Sequence, residues 1–269
     1  MNKDSMHFEK GRGPLVREAR PEDMPRLVEV DLECFQDVYE ANPVDPQEIQ
    51  AMLETRQSIA KDLMVVGEID GSIEGFMTCQ RIGHEADQIK SWEETTNSGT
   101  LVGTHIPTGK NFYIVNLTVT DKGTEHDLSD QLIARLLGRF LEIQGEETYL
   151  LSRMPQFSQW LEESQIDFES LSDDVQDEFA QEYIGATKTV EGKEYLYDGM
   201  LRRYGEFGAK PVTVLRDGFV DPASHNYSVL CVFKNPLPEK LKRSRLVSRL
   251  AGLAVRYAAN HPKVLSRLP

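Results

Sequence analysis

The stretch Asn111–Leu141 (NFYIVNLTVTDKGTEHDLSDQLIARLLGRFL) constrains the fold of this chain more than any other. Ile114, Leu117 and Val119 lie in a run rich in β-branched and aromatic residues, which predicts a buried strand. Leu128, Leu132, Ile133, Leu136, Leu137 and Phe140 then recur at helical spacing. Between them lies a short polar segment, so the order is strand, loop, amphipathic helix. Such a loop leaves backbone amides unpaired at a helix N-terminus, where the dipole favours negative charge. The loop itself is acidic. Asp121, Glu125, Asp127 and Asp130 face only Lys122 and His126, and Gly123 comes too early to open the helix. Two readings stand: an anion or cofactor cradle, or carboxylates that cap and charge a helix start.

The flanking sequence places this unit in one larger fold. Pro14–Ala19 reads as a first strand, and Arg20-Pro21-Glu22-Asp23 opens a helix whose apolar face is Leu27, Val28, Val30, Leu32 and Phe35. A second helix is expected near 47–60. The run 63–69 turns at Asp70-Gly71 and returns over 72–82, a strong hairpin signal. Residues 83–110 read as a loop with one helical turn near Trp92. Strand 148–152 follows, then an acidic segment 155–190 expected to be helical, with no Lys or Arg between Arg153 and Lys188. A helix near 197–207 and strands 212–216 and 227–233 close the pattern. Hairpins mixed with helices around one sheet predict an α+β fold, mixed and mainly antiparallel, with flanking helices.

Three blocks follow: a flexible N-terminus over 1–13, a domain over 14–235, and a basic tail over 236–269. The tail sets Lys240, Lys242, Arg243, Arg245, Arg249, Arg256, Lys263 and Arg267 against Glu239 alone. Leu241, Leu246, Leu250, Leu253 and Tyr257 give it a helical apolar stripe. The default expectation is that this stripe packs on the acidic body; an anionic membrane surface and an acidic protein partner are the alternatives.

Composition excludes several classes. A formal charge of −14 argues against a nucleic-acid binder. The three cysteines, Cys34, Cys79 and Cys231, are far apart, so neither a metal site nor a disulfide framework is expected. The polar N-terminus and the lack of a long apolar run lead to the expectation of a cytoplasmic protein.

In order and in residues the chain resembles the GNAT acyltransferase superfamily over roughly 14–235. Val16-Arg17-Glu18-Ala19-Arg20-Pro21-Glu22-Asp23 resembles its opening R-x-A-x-x-x-D. Val65–Phe76 resembles its second and third strands, Asn111–Thr120 its fourth, and Tyr204-Gly205-Glu206-Phe207-Gly208-Ala209 its late Tyr-x-x-x-Gly motif. The resemblance implies direct transfer of an acyl group, acetyl being the expected one, from acyl-CoA to a small-molecule or peptide amine. It makes Tyr204 the acid that protonates the leaving thiolate, and it puts Tyr113 and Asn116 on the strand from which a base projects. Glu68, His105 and His126 are weaker candidates. It implies donor contacts from Leu117, Thr118 and Val119 on the strand and from Thr124, Asp127, Leu128, Ser129 and Asp130 at the helix start.

The family loop V-x-P-x-x-[QR]-x-x-G-x-[GA] is not kept. Asp121 stands at its proline position, Thr124 at its Gln/Arg position, and Asp127 and Ser129 at its two small positions. Carboxylates facing a pyrophosphate repel it by roughly 1–4 kcal/mol per pair near 4 Å. A donor carried on an acyl carrier protein presents pantetheine without the nucleotide, which would explain the loss. A GNAT-like binding module without catalysis is the third expectation. Glu162, Glu163, Asp167, Asp173, Asp174, Asp177 and Glu178 of the acidic segment either draw in a cationic acceptor or form a solvated face.

Overall fold

The Asp70-Gly71 turn forms as expected, with both residues at positive φ (53° and 84°), and the strands it joins are Met64–Ile69 (β2) and Ser72–Ile82 (β3). The computed structural model describes residues 14–261, so the expected flexible segment 1–13 lies outside the described residues. The remaining strands of the main sheet are Leu15–Glu18 (β1), Asn111–Val119 (β4), Glu147–Arg153 (β5), Lys210–Leu215 (β8) and Ser228–Lys234 (β9). Their spatial order is β1-β2-β3-β4-β5-β9-β8, and only β4 and β5 run parallel. The architecture is the mixed, mainly antiparallel α+β sheet that the sequence predicts.

Helices cover both faces. On one side lie Met24–Cys34 (α1), Gln36–Ala41 (α2), Pro46–Ile59 (α3) and Trp92–Thr96 (α4). The opposite side carries Asp121–Glu125 (α5), Leu128–Glu142 (α6) and Gly199–Glu206 (α9). The apolar face of α6, including Leu132, Leu136 and Phe140, closes the largest core against β2, β3 and β4. A second core joins β5 and β9 to the acidic segment, where Phe157, Phe168, Tyr183 and Tyr227 pack edge to face or tilted.

The acidic segment departs from its expected all-helical form. Phe157–Glu163 (α7) and Asp173–Tyr183 (α8) are helices, but Thr187–Val190 (β6) and Lys193–Leu196 (β7) pair as a separate hairpin. Its turn residues Glu191 and Gly192 adopt positive φ. Both strands are largely exposed, so no in-out alternation marked them in the sequence.

The basic tail forms Glu239–Lys242 (α10) and Arg245–Ala259 (α11), and α11 packs along α6. The contact is made by small residues, against expectation. Ser248, Gly252, Ala258 and Ala259 are buried. A Cβ on Gly252 would sit 2.3 Å from the Gly138 carbonyl of α6, and one on Gly138 would sit 2.7 Å from the Gly252 carbonyl. The helices therefore meet backbone to backbone. The stripe expected to pack inward faces out, with Leu246 67%, Leu250 58% and Tyr257 61% exposed.

The R-x-A-x-x-x-D pattern becomes a bidentate ion pair. Arg17 Nη1 and Nη2 donate to Asp23 Oδ2 and Oδ1 at 2.7 and 2.8 Å, and the Arg20 amide donates to Asp23 Oδ2 at 2.7 Å. Burial pushes the Asp23 carboxyl up, but these donors outweigh it and hold it below the usual range. Asp221 behaves alike. Burial raises it, while Arg153 Nε at 3.0 Å and Ser224 bring the net shift downward. A depressed folded value means stability that is present above the unfolded carboxylate value, about 3.9, and lost as pH falls through the folded ones. Asp31 is raised, chiefly by burial, so its contribution runs the other way and is lost as pH rises through its folded value. Urea midpoints measured against pH are expected to fall on the acid side, and Asp23→Asn to flatten that limb.

Candidate functional site

The register between β3 and β4 slips once. Thr78 pairs with Asn116 and Cys79 with Ile114, which leaves Val115 as an extra residue. A bulge of this kind resets which side chains share a face. Phe112 and Ile114 lie on the α6 side, and after the bulge Leu117 lies there too. Asn116 turns to the opposite side, where its Oδ1 meets Arg56 Nη1 at 3.4 Å and its Nδ2 donates to Thr118 Oγ1 at 2.9 Å. The Val115 carbonyl accepts from Trp92 Nε1 at 2.8 Å.

The neighbouring pair β4–β5 is joined only at its start, through Phe112 with Thr148 and Tyr113 with Tyr149. Beyond Tyr113 no residue of β4 pairs with β5, so the edge from Ile114 to Val119 faces an opening. Beneath the closed end, between the sheet, α6 and α9, lies a chamber with about 670 Å³ of empty space, including its mouth. Ile114 and Leu117 line it from β4; Ile133, Leu137 and Phe140 from α6; Tyr204 and Phe207 from α9. Apart from Thr148 and the Tyr204 hydroxyl its wall is apolar. Burial pushes the Tyr204 phenol well above the tyrosine range, and the nearby Cys231 and Asp198 add to this. No hydrogen bond of its hydroxyl is found among the described residues. The phenol therefore keeps its proton and has it free to donate.

The expected cradle at the start of α6 is occupied by itself. What reads as a loop is the one-turn helix α5, capped by Thr120, whose Oγ1 accepts from the Gly123 amide at 3.2 Å. The amides of Thr124, His126, Asp127 and Asp130 go to the carbonyls of Thr120, Gly123, Thr124 and Asp127. Thr120 Oγ1 also donates to the buried Glu74 at 2.9 Å, and Lys122 reaches Glu74 at 3.6 Å. Leu128 is fully buried against Gly67 and Gly75. Ser129 reaches Asp130 at 3.4 Å, and Asp130 forms an ion pair with Arg203 of α9. Of the eight expected donor positions, Leu117, Thr118 and Val119 lie on the open edge. Thr124, Asp127, Ser129 and Asp130 bond within their own segment or to α9.

The remaining candidates separate. Tyr113 is fully buried in the core, with its hydroxyl unpartnered among the described residues and its phenol pushed up by burial. It does not reach the opening, whereas Asn116, half-buried, does flank it. Glu68 is tied to Arg17 at 2.7 Å on β1–β2. His105 accepts from the Arg81 amide at 3.3 Å, and His126 is 2.9 Å from the Lys122 carbonyl. In the acidic segment Arg216 is 2.7 Å from Asp177 and 3.5 Å from Asp173, while Glu163 accepts from Tyr197 at 2.7 Å.

Sequence reasoning missed a polar cluster behind Asn116. Arg56 on α3 is 2% exposed and donates to the Gly99 carbonyl. Its guanidinium lies 5.7 Å from the Trp92 ring centroid. Burial brings it down to about 10. Asp31 on α1 is buried as well and accepts from Tyr39 at 2.6 Å. Burial pushes the Asp31 carboxyl up, against the Tyr39 hydrogen bond and the charge of Arg56. On a helix of mixed polarity such as α3, nothing in the sequence sets a buried arginine apart from an exposed one. Among the described residues no cluster of His, Cys, Asp or Glu is placed to hold a metal ion, and no helix is long and apolar enough to cross a membrane.

Comparison with known proteins places this geometry. No protein-family model and no curated protein matches the chain by sequence. Solved structures do match. One is GphF, described as a GNAT-like decarboxylase in complex with isobutyryl-CoA, with a TM-score of 0.62 at 18% identity over 82% of this chain and 99% of that one. Another is the loading GNATL domain of CurA from Lyngbya majuscula, with a TM-score of 0.58 at 19% identity over 82% of this chain and 98% of that one.

Proposed function

The chain has the GNAT fold, and on that premise we propose that it is an acyltransferase whose thioester donor lies in the opening between β4 and β5. The observation that carries this reading is the unpaired edge Ile114–Val119 leading directly to an apolar chamber. Free main-chain groups of that edge suit the amides of a pantetheine arm, and such contacts need no particular side chain. Tyr204 meets the sulfur side of the site as a protonated phenol. It donates a hydrogen bond to the sulfur as charge develops there, when the carbonyl passes to an amine acceptor. Asn116, backed by Arg56, faces the acceptor side.

The chamber favours an acyl chain longer than acetyl. Its wall is apolar on nearly every side, so each added carbon exchanges water for contact with side chains such as Ile133, Leu137 and Phe140. Each methylene that enters is worth about 0.8 kcal/mol, close to a fourfold gain in affinity. Calorimetry with a series of non-reactive acyl-thioether analogues is expected to show that gain at each added carbon until the chamber fills. Affinity independent of chain length removes the chamber from the donor site.

The self-bonded α5 segment favours a second form of the reading, in which the donor arrives on an acyl carrier protein. With the amides of Gly123, Thr124, His126, Asp127 and Asp130 already bonded inside the segment and carboxylates around them, the nucleotide of CoA gains little here. The acyl-pantetheine analogue should then bind about as tightly as its CoA counterpart. A large advantage for the CoA form would instead favour acyl-CoA as the donor. The relative described as bound to isobutyryl-CoA supports a thioester of this general type.

A further inference from the structure

Helix α11 has two apolar faces and uses only one. The small-residue face is sealed against α6, and Arg256 fastens it by pairing with Glu142 at 3.0 Å. On the other face Leu246, Leu250, Leu253 and Tyr257 follow at i, i+4, i+7 and i+11, all exposed, and Leu241 of α10 extends the row. Lys240, Arg243, Arg245 and Arg249 flank the row, are exposed, and make no ion pair among the described residues. From Lys240 to the end of the sequence there is no Asp or Glu, although the whole chain carries −14. A basic strip with a leucine ridge thus stands on an acidic protein.

We propose that α10 and α11 form a membrane-surface helix that seats the protein on an anionic lipid bilayer. A ridge of large apolar side chains with cations at its flanks is the pattern of a helix lying in the plane of a headgroup layer. Its leucines enter the acyl boundary while the arginines meet lipid phosphates and carboxylates. A second copy of this chain fits less well, because a two-fold contact through the ridge would bring arginines onto arginines. The acidic body is repelled by the same lipids, so attraction is confined to this one face and sets the orientation. Helix α6, which α11 covers, is also a wall of the apolar chamber.

Co-sedimentation of the full chain with phosphatidylcholine vesicles, with and without phosphatidylserine, tests this. Binding is expected only with phosphatidylserine and is expected to weaken with salt. Arg245→Gln and Arg249→Gln should each lower the partition coefficient about fivefold, and Leu250→Asp at least tenfold. Because all three side chains are exposed, their urea midpoints should match the parent, which separates lost binding from lost folding. Several results overturn the proposal. They are no binding to anionic vesicles at low salt, equal binding to pure phosphatidylcholine, and binding unchanged by Leu250→Asp. A dimer in light scattering that Leu250→Asp disperses would give the ridge to a second copy. Loss of carrier-protein binding in the same variant, without vesicle binding, would give it to an acidic protein. Vesicle binding only after removal of residues 1–13 would give it to that segment.

Discussion

Tyr204→Phe lowers turnover at least tenfold and leaves donor affinity nearly unchanged. The ring of Tyr204 is part of the chamber wall, and phenylalanine keeps that wall. Only the hydroxyl goes, and it has no hydrogen-bonding duty among the described residues, so the fold loses nothing with it. Under the proposed mechanism, what is lost is a donor in an apolar surrounding beside the sulfur on which negative charge gathers as the thioester breaks. Groups acting in this way contribute about 10²–10⁴ in rate, so tenfold is a lower bound. Because the folded phenol is pushed up by burial and stays protonated through neutral pH, the parent's activity should show no titration of Tyr204 in that range. Steady-state kinetics at several pH values check both statements. A variant with full turnover takes Tyr204 out of the mechanism and leaves it a packing residue.

Arg56→Met destabilises the protein by about 3 kcal/mol, a large share of the 5–15 kcal/mol typical of a folded domain. The guanidinium is buried without a carboxylate in ion-pair contact among the described residues. It is held by the Gly99 carbonyl, by the face of Trp92 and by a weak contact to Asn116. Its field also lowers the buried Asp31, against the larger effect of burial. Methionine fills much of the volume but leaves the Gly99 carbonyl without its donor and Asp31 without a neighbouring cation. Lysine is a poor replacement, since one ammonium cannot reproduce a planar fork stacked on an indole. Urea unfolding measures the loss. An unchanged midpoint would mean that the cluster contributes nothing to the fold.

The sequence made the framework legible where local chemistry and tertiary packing agree. The Asp70-Gly71 hairpin was readable because two positive-φ positions sit between alternating apolar runs, and α6 because its apolar face is long and regular. The R-x-A-x-x-x-D spacing marked the opening strand and helix, but that Arg17 and Asp23 close into a bidentate ion pair is seen only in the structure. The features that shape the site were less visible. One extra residue at Val115 decides which side of β4 Leu117 faces, and a bulge leaves no mark in hydrophobic periodicity. Helix α5 is five residues long with a glycine inside, so propensity favours a loop; it is the Thr120 cap and the buried Glu74 that close it. In α11 the leucine periodicity was read correctly but assigned to the wrong face. Apolar spacing says that a stripe exists, whereas the contact was chosen by Gly252 and Gly138, whose missing side chains allow the closer approach. Tyr113 was expected at the site from its place on the strand, and the parity of that strand buries it instead.

The central claim is that a thioester arm lies along the open edge of β4 and sends its acyl chain into the chamber below. The most direct measurement is a crystal structure with a non-reactive acyl-thioether of pantetheine. The account predicts an arm hydrogen-bonded to main-chain groups between Ile114 and Val119, its sulfur near the Tyr204 hydroxyl, and its chain among Ile133, Leu137 and Phe140. An arm bound elsewhere, or β4 and β5 paired shut along their length with the chamber filled by the protein's own side chains, would contradict it.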